Sequence, residues 1–231
     1  MKQTPLVEED RKKGGDFMRR LPLVVALVLV LVSGVSVYAV PYPYGEYTLE
    51  TKGDLRAIAQ EVFNTCTIFV KAEGDSCYPW SALSSATFHA PALIDATINR
   101  DAEFQFWTDA EKEQERKKKF SLFVDDTIVI GMMLVADSKV DRGYRYVETE
   151  GPRSYIDRIV LETDAGKRYT PTFQYGGGDS ELSGLNWMSI TLLSFPRYDN
   201  GVQIINKDTE WIRLWVIAGT NRIYFQFDFD K

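Results

Sequence analysis

Residues Trp211 to Lys231 read WIRLWVIAGTNRIYFQFDFDK, and this stretch decides the fold class. In its second half, apolar residues recur at every other position, which is typical of a strand with one face on a core and the other in water. These residues are Ile223, Phe225, Phe227 and Phe229. The tetrapeptide AGTN at 218–221 separates this run from the preceding one and favours a turn. The segment therefore predicts a hairpin of two antiparallel strands.

The first run of this hairpin, 211–217, has two different faces. Its aliphatic face consists of Ile212, Leu214 and Val216. Its other face consists of Trp211, Arg213 and Trp215. If the aliphatic face lies on the core, two tryptophans and an arginine point outward and form a candidate binding surface, because Trp and Arg are enriched where proteins contact partners. The alternative is a strand buried on both faces, with a helix covering the tryptophans.

The same two-residue period recurs along the chain. Alternating runs at 92–98, 169–175 and 188–192 each predict a strand, with the apolar residues of each run on the core. Thr127 to Ala136 is apolar on both faces and predicts a central, covered strand, whereas Pro171 indicates an edge strand or a bulge. Turn sequences at 164–167 and 199–201 separate further runs. Together these patterns predict a mainly β protein, a single antiparallel β-sandwich for which an immunoglobulin-like arrangement is one form.

Two segments in the N-terminal half follow a helical period instead. Asp54 to Asn64 predicts an amphipathic helix with Asp54 near its start. Thr108 to Lys119 predicts a second helix, with Thr108 and Glu111 in the spacing of a capping box. Its acidic first half and basic second half complement the helix dipole and favour a solvated connecting helix over a patch for anionic surfaces.

The N-terminus predicts export. Leu21 to Val37 is uncharged and apolar, and two arginines precede it, as in a signal peptide cleaved between Ala39 and Val40. The alternative is an uncleaved anchor, because Leu21 to Val40 is long enough to span a bilayer. In either case we expect residues 1–39 to be a leader, starting at Met1 or Met18, that leaves the rest extracytoplasmic. Residues 40–52 are then a Pro/Tyr-rich tether, and residues 53–231 form one domain. We expect the protein to contact the membrane only if the N-terminal segment is not cleaved.

The two cysteines predict a disulfide. Cys66 and Cys77 are close in sequence, and outside the cytoplasm such a pair is most simply bridged. Two separate buried thiols are the alternative. A further hypothesis makes Cys77 the nucleophile of an exported hydrolase, with His89 as base and Asp95 as orienting carboxylate, although His89 alone is more often a packed core residue.

Composition narrows the function classes. A net charge of -6 with a pI near 5.0 argues against nucleic acid as a partner. One His and two Cys are too few for a structural zinc site, so we expect no metal. The glycines of 176–179 lack the sequence context of a phosphate-binding loop and predict a flexible loop between strands. We therefore expect no cofactor. Pairs of carboxylates could serve glycoside hydrolysis, but 33 acidic residues make chance pairs inevitable. The sequence therefore favours a non-catalytic exported or envelope protein that binds another protein, with a carbohydrate-binding module as the alternative and a hydrolase as a third hypothesis.

Overall fold

The structure of the protein is a computed structural model. It describes residues 40–41, 44, 47, 49, 52–73, 80–137, 156–183 and 186–230. The predicted signal segment therefore lies outside the described residues. Within the described part of the chain, no helix is both long enough and apolar enough to cross a membrane.

Most of the described chain is β-strand. The strands are β1 (Val40–Pro41), β2 (Thr67–Phe69), β3 (Lys71–Ala72), β4 (Ser85–Phe88), β5 (Thr127–Asp137), β6 (Arg158–Thr163), β7 (Arg168–Tyr169), β8 (Phe173–Ser183), β9 (Asn186–Pro196), β10 (Tyr198–Asp199), β11 (Val202–Gln203), β12 (Trp211–Ala218) and β13 (Asn221–Asp230). The helices are α1 (Leu55–Thr65), α2 (Pro91–Gln105) and α3 (Asp109–Phe123). The prediction of a mainly β protein is confirmed, with three described helices instead of the two expected.

The strands form two main sheets. A six-stranded sheet has the order β1-β13-β12-β6-β7, with β3 also paired to β13, and a five-stranded sheet has the order β2-β4-β5-β9-β8. All pairs are antiparallel except β1 with β13. The strands β10 and β11 form a separate hairpin through Asn200 and Gly201, whose φ angles of 52° and 80° are those that an Asn-Gly turn requires.

One apolar core lies between the two sheets. The six-stranded sheet contributes Leu214 and Phe225, and the five-stranded sheet contributes Ile130 and Leu193, all of them fully buried in a single cluster. Strand β5 has strand neighbours on both sides, so the prediction of a central strand at 127–136 is confirmed. Burial of this two-layer core is what makes the antiparallel β-sandwich stable.

The strand predicted at 92–98 is wrong, because these residues lie in helix α2. Ile94, Ile98 and Ala102 are spaced four residues apart and are all buried, so the apolar residues here fit a helical period as well as an alternating one. Pro91 occupies the first turn of the helix, a position where its missing N–H has no cost. The helical period prevails because it buries these residues in a layer beside the sandwich.

The predicted orientation of strand β9 is also wrong. Ser189 and Thr191 face the core, whereas Ile190 points away from it and is 55% exposed. Every second residue of a strand shares one face, and Leu193 and Phe195 lie on the same face as the two hydroxyl residues. Burial of the larger Leu193 and Phe195 side chains fixes the register and turns Ile190 outward.

The proline and the glycines between 169 and 179 have specific positions. Pro171 lies between β7 and β8, where the chain leaves the six-stranded sheet for the five-stranded one. The flexible loop predicted at 176–179 is wrong, since these residues belong to the edge strand β8 and carry a register shift between Gly176 and Asp179. Gly176 has φ +84°, and a Cβ there would lie 3.1 Å from the carbonyl oxygen of Ile190, so both backbone and space require glycine.

The two predicted helices are confirmed. Asp54 caps α1 by accepting hydrogen bonds from Arg56 N and Ala57 N, and Thr108 with Glu111 forms the expected capping box of α3. Helix α1 packs on α2 and β2. The alternative in which this helix covers Trp211 and Trp215 is therefore not the arrangement found.

Residues from the segment predicted as a tether contact the sandwich. The backbone of Val40 and Pro41 pairs with Phe229 and Asp230 of β13. The ring of Tyr44 packs edge-on against Phe88, and the hydroxyl of Tyr47 donates a hydrogen bond to Asp95. Burial and this hydrogen bond raise the pKa of Tyr47 to about 12.

Candidate binding surface

The two faces of strand β12 differ sharply in burial. Ile212, Leu214 and Val216 are fully buried in the core. Trp211, Arg213 and Trp215 lie on the outer face of the six-stranded sheet, and all three are half-buried. The structure thus brings the three predicted residues together at alternate positions of one strand, on a face that includes solvent-accessible aromatic surface.

These side chains stack against each other and against Tyr224 of β13. The guanidinium carbon of Arg213 lies 4.2 Å from the ring centre of Trp211 and 5.2 Å from that of Tyr224. The rings of Tyr224 and Trp215 are 5.0 Å apart and tilted by 46°. We call Trp211, Arg213, Tyr224 and Trp215 the Trp–Arg stack. Cation–π contacts of this kind hold the arginine over the rings.

A buried carboxylate fixes one end of the stack. The indole Nε1 of Trp215 donates to Oε2 of Glu162 at 2.7 Å, and Nε of Arg168 donates to Oε1 of the same carboxylate at 2.8 Å. Burial alone would raise the pKa of Glu162, but hydrogen bonds from Trp215 and Arg168 outweigh it and hold the pKa below its ordinary value. The carboxylate is therefore charged at neutral pH and holds the indole in one orientation.

The arginine in the middle of the stack has its own hydrogen bonds. Nε of Arg213 donates to Oε1 of Gln226 at 2.7 Å, and Nε2 of Gln226 donates to Oδ1 of Asp228 at 2.5 Å. Because Trp215 and Arg213 are both held by hydrogen bonds to neighbouring strands, these two side chains have little freedom left to lose when a partner binds.

Basic residues surround the Trp–Arg stack. Four exposed basic side chains occupy outer-face positions on the strands beside β12 or at the sheet edge: Lys71, Arg158, Arg168 and Arg222. With Arg213 they outnumber the three described carboxylates of this face, which are Glu162, Asp228 and the exposed Glu73 that pairs with Arg222 at 3.5 Å. The chain as a whole has a net charge of -6, so this face is locally cationic on an acidic protein.

Tyr224 and Glu162 were not predicted from the sequence. The tight turn at Gly219 and Thr220 sets Ala218 opposite Asn221, and the same register then sets Trp215 opposite Tyr224. Counting outward from this turn could have found Tyr224. Glu162 could not be found in this way, since β6 is separated from β12 by a long stretch of chain.

The other sequence candidates do not assemble into a described site. Cys77 lies outside the described residues, so neither the disulfide nor the Cys77 nucleophile is tested, and Cys66 is a buried thiol whose pKa burial raises to about 12. His89 stacks on Phe123 with ring centres 5.4 Å apart, and burial lowers its pKa to about 4. Asp95 accepts hydrogen bonds from Arg116 and Tyr47.

A polar groove of about 440 Å³ lies between the β6–β7 turn and the β10–β11 hairpin. Two of the four carboxylates that line it have partners within the protein: Asp164 accepts from Glu210 N at 2.6 Å, and Asp199 pairs with Lys167 at 3.2 Å. Among the described residues, no three His, Cys, Asp or Glu side chains are arranged to hold a metal ion. The groove therefore offers no arranged set of ligands.

The fold and the site together describe a β-sandwich with a preorganised, cationic aromatic surface on one sheet. Comparison with protein-family models, with curated proteins and with solved structures finds no match to this chain. The functional argument therefore rests on the chemistry of this surface.

Proposed function

We propose that this protein is a non-catalytic, exported or envelope-associated β-sandwich that binds another protein through the Trp–Arg stack. The observation that carries the proposal is the arginine held between Trp211 and Tyr224 on the outer face of a sheet. Trp, Tyr and Arg are the residues that contribute most to binding at protein interfaces. The exported location rests on the apolar segment Leu21 to Val40 and the arginines before it.

The arrangement of the rings favours a protein partner over a sugar. Sugar rings stack on open aromatic faces, but one face of Trp211 lies under Arg213, and Trp215 and Tyr224 are turned toward each other. A protein can use the exposed ring edges and the guanidinium together. The surrounding arginines and lysine further indicate that the partner presents acidic side chains around an apolar centre.

A photocrosslinking experiment tests this proposal. A photoreactive amino acid replaces Lys71, which is exposed and pairs with Tyr224 at the edge of the stack. We expect a crosslinked protein partner in the native host, at a yield that falls as salt concentration rises. Trp211→Ala combined with Arg213→Gln should reduce this yield at least about tenfold, because both central contacts are lost.

The matched control places the photoreactive group at Tyr175, which is 67% exposed on the outer face of the other sheet. This position should not give the same product. If the product forms equally from Tyr175, or persists in the double variant while the variant remains folded, the proposal is wrong. Quenching of tryptophan fluorescence by a polysaccharide, without any protein crosslink, would instead favour the carbohydrate-binding alternative.

A further inference from the structure

A cavity of about 370 Å³ opens between the two sheets where the chain crosses from β7 to β8. Strand β7 has only two residues, and its second residue, Tyr169, pairs with Leu161 of β6. Pro171 follows, and because it lacks a backbone N–H it cannot extend this ladder along β6. Ile159 therefore has no described strand neighbour on this side, and the edge of the sandwich stays open here.

Both sheets contribute apolar side chains to this cavity. Met132 comes from β5 and Ile159 from β6, and both are buried. Ile156 and Pro171 are half-buried and add further aliphatic surface. An aliphatic group that enters from water is stabilised against such a wall, because apolar surface is removed from water on both sides of the contact.

Hydroxyl and amide groups line the same cavity. Thr191 is only 3% exposed, and its hydroxyl makes no hydrogen bond with the described residues. Ser189 lies two residues away on the same inward face of β9, and its buried hydroxyl has no hydrogen-bond partner. The side chains of Gln174 and Thr170 are exposed at the mouth of the cavity and make no described hydrogen bonds. Because buried polar groups are normally paired, these groups are available to a ligand that enters the cavity.

The charges of the described lining favour a neutral ligand. Asp157 lies at the mouth, where its carboxylate accepts a hydrogen bond from Gly219 N. Arg158 alternates with the inward-facing Ile159 along β6, so its side chain lies on the outer face of the six-stranded sheet. No described charged group therefore pairs with an ion inside the cavity, and an ion would lose its hydration without compensation.

From these observations we infer that the cavity binds a small, neutral, amphipathic molecule. Its aliphatic part lies against Met132 and Ile159, and its hydroxyl or amide head group forms hydrogen bonds with Thr191 and Gln174. The volume is within the range of about 300–1,000 Å³ that is typical of ligand sites. This site lies between the sheets and includes no residue of the Trp–Arg stack, so it is independent of the proposed protein-binding surface.

Methionine methyl signals in nuclear magnetic resonance test this inference. Met132 lines the cavity, whereas Met133, the next residue, lies on the opposite face of β5 and serves as an internal control. The full chain, held in phospholipid nanodiscs because of its apolar segment Leu21 to Val40, is titrated with cyclohexanol. We expect the Met132 signal to shift to saturation with a dissociation constant of about 1 mM, while the Met133 signal stays in place.

Two further probes define the head group. Cyclohexanecarboxamide carries an amide in place of the hydroxyl, so its affinity relative to that of cyclohexanol shows which head group the cavity prefers. Cyclohexanecarboxylate has the same ring and nearly the same shape as the amide but is charged, and it should bind at least about tenfold more weakly. Equal affinity of the carboxylate and the amide would overturn the inference.

Three variants separate binding in the cavity from general effects on the fold. Thr191→Val removes the hydroxyl at nearly constant volume and should weaken binding about tenfold. Thr163→Val makes the same substitution at a buried threonine outside the lining of this cavity and should leave the dissociation constant unchanged. Thr170→Trp changes an exposed residue at the mouth and should abolish the Met132 shift by filling the entrance. The inference is wrong if neither neutral probe shifts Met132, if Met132 and Met133 shift alike, or if the two valine variants bind equally well.

Discussion

The indole nitrogen of Trp215 and the carboxylate of Glu162 are joined by a 2.7 Å hydrogen bond across two neighbouring strands. The bond links a half-exposed ring to a carboxylate that is only 9% exposed. A buried charge must keep its donors, and Arg168 supplies the others. Trp215 therefore contributes both to the candidate binding surface and, through its hydrogen bond to Glu162, to the stability of the six-stranded sheet.

We predict that Trp215→Phe lowers the free energy of unfolding by about 1–2 kcal/mol, because Glu162 loses one charged hydrogen bond but keeps Arg168. Urea denaturation at about pH 7 measures this change. Trp211→Phe is the matched control, since it makes the same substitution at a half-buried indole whose described contact is the stack with Arg213. Equal effects of the two substitutions would contradict a specific role for the Trp215–Glu162 bond.

The same bond predicts a change in acid stability. The pKa of Glu162 is held below its ordinary value in the folded protein, so its contribution is present above the unfolded pKa, near 4.3, and is lost as pH falls through the folded pKa. Trp215→Phe should move the folded pKa toward the unfolded value. The variant should consequently lose less stability than the unsubstituted protein between about pH 7 and about pH 3, as urea denaturation at both pH values would show.

Much of the fold follows from local patterns. The hairpin of β12 and β13 was predictable because a short turn fixes the register, and the central strand β5 because both of its faces are apolar. Helix α3 was predictable from its capping box. In each case the signal lies within a few residues of the element that it specifies.

Two of the errors arose where two periods or two faces competed. The apolar residues of α2 satisfy alternate spacing as well as spacing by four, and only the layer against which the helix packs decides between them. In β9 the inward face is set by Leu193 and Phe195 through a partner strand that is distant in sequence. The position of Glu162 beside the binding surface was unpredictable for the same reason, because it lies on β6, which is distant in sequence from β12.

His89, the single histidine of the chain, predicts how the free energy of unfolding depends on pH. Burial lowers the pKa of His89 from 6.5 to about 4, so the unfolded state binds a proton that the folded state does not. Stability should therefore fall as pH decreases from 6.5 toward 4, by about 3 kcal/mol in total. His89→Phe, which retains the stacking on Phe123, should flatten this dependence. A histidine proton signal that titrates near pH 6.5 in the folded protein would contradict the prediction.

The backbone at Phe106 allows a test in which the same substitution has opposite effects at two positions. At φ 55°, Phe106→Gly should leave the free energy of unfolding unchanged or raise it by up to about 1 kcal/mol, because glycine adopts this conformation without strain. Phe104→Gly, inside helix α2, should lower it by about 1 kcal/mol. Thermal or urea unfolding compares the two variants. Destabilisation of similar size at both positions would mean that the ring of Phe106 contributes to the fold itself.

Cys66 provides the test of the predicted disulfide. Its thiol is 2% exposed, and burial raises its pKa to about 12, so it should not react with an alkylating reagent in the native protein, bridged or free. The distinction comes after unfolding without reductant. A Cys66–Cys77 bridge should leave the intact mass free of alkyl groups until a reductant is added, after which two groups are expected for the two cysteines of the chain. If alkyl groups appear on both cysteines upon unfolding alone, the bridge is absent and Cys77 is an available thiol. Such a result would make the hydrolase hypothesis the next one to test, with Cys77→Ser as the variant.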